Sequence, residues 1–145
     1  MSRDGQAPEL QDLPEAAGSD FSAAWGFSDD DLWVGSSTGQ LFRYQGERWT
    51  LEWSNTAEAA CARVTEIWGS EGQVFFHTPD GFYWHRTNDS TRTLARRPCV
   101  EGRSAFQSVW GNSPVEVFVA EQTNGSGACG EILLSWFDGT SLSPL

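Results

Sequence analysis

Apolar residues in this chain come in short runs, each closed by Gly, Pro, Asn, Asp or Ser. The runs keep a phase. A Trp-Gly pair preceded by apolar residues recurs at Trp25, Trp68 and Trp110, with spacings of 43 and 42 residues. Behind each pair stands a second run centred on an aromatic residue: Leu32-Trp33-Val34, Val74-Phe75-Phe76 and Val117-Phe118-Val119. Turn sequences follow ("GSSTGQ", "TPDGF", "EQTNGSGACGE"), then third runs "LFRY", "FYWHR" and "ILLSWF". The first and third repeats close with a Gly turn leading to Trp49 and Leu142, where the second has "TNDSTRTL".

Four short runs between turn formers predict a four-stranded antiparallel meander. A period of about 40–45 residues is that of a propeller blade. The expected fold is all-β, with three such blades over residues 21–63, 64–105 and 106–145, behind a flexible leader at 1–20. No long stretch has a helical period; only "NTAEAACARV" suits a single helical turn, in the connection between the first two blades. The Gly after each Trp is expected to permit a sharp turn into the second strand. Counting in twos from each Trp places Ala23, Glu66 and Ser108 in matching positions of the inner strands. Glu66 is the charged exception, and packing does not account for it.

Charge narrows the partners. The 145 residues include 20 acidic residues and 9 basic ones, all Arg, for a net charge of −11. A field of that sign repels phosphate, which excludes nucleic acid and anionic membrane as natural partners. No window reaches the roughly 18 apolar residues of a membrane span. The first 20 residues contain no apolar core of a signal peptide.

Once aligned, the repeats carry a resemblance. "WGFSDDDLWVGSSTGQLFRYQGERW" (25–49) is similar to a unit of the form WGSxxDVWAVGxxGTILHYDGTSW, which recurs in bacterial WG-type β-propeller repeat proteins. "WGSEGQVFFHTPDGFYWHR" resembles the first three strands of that unit, and "WGNSPVEVFVA" with "LLSWFDGTSLS" resembles its two halves. The resemblance spans residues 21–145 and rests on turn and core residues. It implies a propeller-type fold and an exported or surface setting, since many such proteins are predicted surface or secreted lipoproteins. Propellers close with about 4 to 8 blades. Three blades leave two flanks to be covered, either by a second copy, giving six blades, or by further blades of a larger propeller.

Candidate sites follow from the topology. The loop between the second and third strands of a blade and the connection to the next blade share one rim. Cys61, Cys99 and Cys129 all fall there. Cys99 and Cys129 belong to one blade and are expected to pair if the protein is exported, leaving Cys61 as the odd thiol. The same rim carries Asp80, Glu121, Gln122 and Asn124, which with Glu66 are the binding candidates, set against the plainer reading of a polar loop. His77 and His85 flank one hairpin without a third convergent ligand, so no metal is expected. Asp29-Asp30-Asp31 matches a turn and lacks the spacing of a calcium loop. No catalytic motif and no cofactor motif stands in the chain. Trp53 and Trp84, off the repeat, are the tryptophans expected to be exposed and able to stack on sugar rings. The function expected is non-catalytic binding or scaffolding, of protein or glycan. The competing reading, a propeller-type glycosidase or lyase, requires carboxylates that converge.

Overall fold

The computed structural model describes residues 20–55, 59–86, 90–99, 104–123 and 130–145. The leader, apart from Asp20, lies outside them, as do Asn124 and Cys129. The first sheet contains β1 (Phe21–Ser28), β2 (Asp31–Ser36), β3 (Gln40–Gln45) and β4 (Trp49–Ser54) in that order. A single helical turn, α1 (Ala59–Ala62), leads to the second sheet: β5 (Glu66–Ser70), β6 (Gln73–Thr78), β7 (Gly81–His85) and β8 (Thr91–Arg96). The third contains β9 (Phe106–Ser113), β10 (Glu116–Gln122), β11 (Ile132–Phe137) and β12 (Leu142–Pro144). All pairings are antiparallel between sequence neighbours, so the chain is three consecutive four-stranded blades. No closed barrel forms among the described residues. No helix among them is long and apolar enough to cross a membrane.

Ladder partners face the same side of a sheet, and this assigns each face a role. In blade one, Trp25, Trp33 and Arg43 are cross-strand partners facing blade two. They meet a core of Val64, Ile67, Val74, Phe76 and Tyr83. In blade two the matching row is Trp68, Phe75 and Trp84, facing blade three. It packs on Phe106, Val109, Val117, Val119 and Phe137. Blade two is therefore covered on both sides: β7 is buried throughout, and β6 except at Gln73. Burying each such aromatic contributes about 1.5–3 kcal/mol, so this blade anchors the other two. The inner strands β1, β5 and β9 lie side by side in that order.

The Trp-Gly pair does not turn the chain. Gly26, Gly69 and Gly111 lie inside β1, β5 and β9, and none has a positive φ. Gly instead clears space for the preceding blade. A Cβ at Gly69 would lie 2.5 Å from Nε1 of Trp25, and one at Gly111 would lie 2.9 Å from Cη2 of Trp68.

The rim is fastened in a repeating way. Ser37 donates its N–H to Asp20 in blade one, and Gln122 donates to Ala105 in blade three, each at 2.7 Å. Blade two has Pro79 at the matching place, and proline has no N–H. There the backbone N–H and hydroxyl of Thr65 both donate to the carbonyl of His77, each at 2.9 Å.

Candidate functional site

The polar candidates gather where blades two and three meet at the rim. Asp80, in the β6–β7 turn, is buried, and its Oδ1 accepts from the Thr78 hydroxyl at 2.7 Å. Its Oδ2 accepts from Arg96 at 3.3 Å. Glu121, near the end of β10, is buried too and takes a two-pronged bond from the Nε and Nη2 of Arg97. Consecutive arginines leaving β8 thus neutralise carboxylates from two blades. The backbone N–H of Arg97 also donates to the carbonyl of Asp80 at 2.8 Å, which fixes the pair in place. Beneath the guanidinium of Arg97 lies the ring of Phe106, 5.8 Å away.

Glu66 stands apart from these pairs, on the inner strand β5. It is the ladder partner of His77, whose Nε2 lies 3.4 Å from its Oε2. The Nδ1 of His77 meets the Thr65 hydroxyl at 2.6 Å, and its ring lies 6.4 Å from that of Phe106. The charge on β5 is therefore the exposed end of a row that is buried at His77. Gln122, one residue beyond Glu121, is exposed. Glu66 therefore faces blade three beside His77, whereas Asp80 is held by Thr78 and Arg96 on the opposite face of blade two, and Glu121 is held by Arg97.

Several expectations change. Cys99 bonds to Cys61, with Cα atoms 6.0 Å apart, and not to Cys129. The reason is positional: the connections entering and leaving blade two both pass its β6–β7 end. Thr65 is tied there to His77, and Ala105 to Pro79. The disulfide therefore links successive connections across one blade. Trp84 is buried rather than exposed, lying between Phe75 at 5.9 Å and Phe137 at 4.9 Å, with Nε1 donating to Gln73. Trp53 is half-buried, its ring 4.9 Å from that of Phe76 and 4.7 Å from that of Tyr83. The tryptophans that do face solvent are Trp110, at 41% exposure, and Trp136, at 38%. Among the described residues no further sheet packs on the face of blade three that carries them.

His77 and His85 lie on opposite faces of blade two, because their ladder partners, Phe82 and Val74, belong to different rows. His85 packs on Trp33 at 5.1 Å and lies 3.7 Å from Glu52 of blade one. Among the described residues no group of three His, Cys, Asp or Glu side chains is placed to hold a metal ion. Asp31 is spent on Arg43 at 2.8 and 3.0 Å, and Arg43 lies over the ring of Trp33 at 5.0 Å. That hydrogen bond and the nearby carboxylates hold the Arg43 guanidinium above its ordinary pKa against the opposing effect of burial. No protein-family model matches the chain, and no curated protein matches it in sequence.

Proposed function

We propose that this chain is a non-catalytic binding or scaffold module, a set of WG-type propeller-repeat blades acting after export at a bacterial surface. The observation that carries this reading is the outward row on blade three. Trp110, Phe118 and Trp136 are cross-strand partners, and the first two rings stack at 5.9 Å and 23°. Flat, partly exposed aromatic rings suit contact with a protein surface or the face of a sugar ring. The ion pairs of Asp80 with Arg96 and of Glu121 with Arg97 support a structural role for these carboxylates. The Cys61–Cys99 disulfide supports an oxidising compartment, where such bonds persist.

A glycan array probed with the purified chain, wild type and Trp136→Ala, tests the glycan half of this reading. Binding that Trp136→Ala abolishes supports it, and silence across the array removes it. Hydrolysis of any arrayed glycan that is lost in Glu66→Gln would overturn the non-catalytic assignment.

A further inference from the structure

Blades one and two both set an arginine over a tryptophan, but they treat its charge differently. In blade one the Cζ of Arg43 lies 5.0 Å from the centroid of the Trp33 ring, and Asp31 at the start of β2 neutralises it. In blade two, two guanidiniums converge on one ring: the Cζ atoms of Arg86 and Arg92 lie 5.2 and 5.5 Å from the centroid of Trp84. The residue that matches Asp31 is Gln73, since each opens the second strand of its blade, two residues before the partner of the Trp-Gly tryptophan. Gln73 has no charge, and its Oε1 is taken by the Nε1 of Trp84 at 2.9 Å. Among the described residues no carboxylate forms an ion pair with Arg86 or Arg92.

We propose that Arg86 and Arg92 bind the carboxylate of an acidic sugar. The inference rests on the glycan half of the proposed function and names the charge of the glycan. Two like charges drawn to one ring repel each other. A chain with 20 acidic residues against 9 basic ones nonetheless leaves this pair without an ion-pair partner among the described residues. Trp84 gives the pair a fixed base. Its ring is buried, parallel to that of Phe75 at 5.9 Å and 6°, and 4.9 Å from that of Phe137. Both arginines are exposed. Attraction to the ring face holds a guanidinium without using its N–H groups, which stay available to an incoming anion. Their planar fork fits a carboxylate through two parallel N–H···O bonds. The net charge of −11 selects among anions. It repels a polyanion such as nucleic acid, whereas a single carboxylate on an otherwise neutral sugar chain meets the arginines with little opposing field.

Isothermal titration calorimetry of the full chain tests this, using a trisaccharide that ends in one glucuronate and the methyl ester of the same trisaccharide as its uncharged counterpart. The acid is expected to bind, and esterification, Arg86→Gln and Arg92→Gln are each expected to weaken that binding about tenfold or more. Added NaCl should weaken it as well, because the site is exposed. Unchanged circular dichroism confirms that the variants fold; Arg86→Met and Arg92→Met, which keep the packing of the stem, serve if either glutamine variant does not. Four results overturn the proposal: no binding of the acid, equal affinity for acid and ester, unchanged affinity in both arginine variants, or a glutamate tripeptide that binds as tightly as the sugar, which would make the site one for acidic protein segments. The neutral members of the glycan array, read through Trp136→Ala, report on the broader binding reading separately. Binding there with no response to glucuronate would remove this site and leave that reading in place.

Discussion

Trp25 rests on Gly69, so close that a Cβ on the glycine would lie 2.5 Å from the indole nitrogen. Trp68 repeats the relationship with Gly111, where a Cβ would also lie 2.5 Å from the carbonyl oxygen of Glu116. Adding one methyl at either glycine forces a ring or a strand to move in a close-packed interface. Gly69→Ala and Gly111→Ala should each destabilise by about 1–3 kcal/mol. The readout is the urea midpoint, and an unchanged midpoint would mean that the blades are free to slide apart.

The Cys61–Cys99 bond joins the two connections that flank blade two. Closing the 38-residue separation restrains the unfolded chain, so reduction should cost about 2–4 kcal/mol. Alkylation of the denatured, unreduced protein should label a single cysteine. Peptide mapping should place that label on Cys129. Label on Cys61 would instead show the pairing within the third blade.

Glu121 is buried, and its charge is met by Arg97, whose side chain is partly exposed. Removing Arg97 leaves a buried carboxylate alone, whereas removing both partners does not. Arg97→Ala should cost about 1–3 kcal/mol, and Arg97→Ala with Glu121→Ala less than the two single losses together. Strictly additive losses in thermal or urea unfolding would show that the pair does not couple.

The first hairpin of blade two turns through Glu71 and Gly72, at φ of 50° and 75°. Positive φ at both positions is the pattern of a two-residue type I′ turn, which favours Asn-Gly. A glutamate there is held in a conformation that costs roughly 1 kcal/mol. Glu71→Asn should recover part of that and raise the unfolding midpoint; a lower midpoint would mean that the carboxylate contributes something the backbone does not reveal.

The architecture was readable because blades repeat and side chains at matching positions have matching tasks. The aromatic centres Trp33, Phe75 and Phe118 could be aligned by eye, and they are cross-strand partners of Trp25, Trp68 and Trp110. What the repeat does not mark was not readable. Arg96 ends β8 and Arg97 follows it, in the one repeat that departs from the common pattern, so nothing announced that they would neutralise Asp80 and Glu121. The role of the Gly in Trp-Gly was hidden for another reason. Its neighbour is the Trp 44 residues earlier in the chain for Gly69, and 43 for Gly111, a contact that exists only once blades stack. The disulfide partner of Cys99 depends likewise on two connections meeting over one blade end.

Tyr83 gives the fold an alkaline limit. Its ring is buried among Phe76 and Trp53, and burial pushes the phenol above its ordinary pKa of 10.0. The Asp80 carboxylate adds to the rise, while the Thr78 hydroxyl and Arg96 oppose it. The neutral phenol is therefore the form that fits the fold. Below the unfolded value of about 10 both states keep the proton and stability is unaffected. As pH rises past it, the unfolded chain ionises first and is stabilised relative to the native one. The loss runs at up to about 1.4 kcal/mol per pH unit until the folded value is reached. Urea titrations should show stability falling above pH ~10 in wild type and much less in Tyr83→Phe. Equal alkaline losses in the two proteins would assign the limit to other groups.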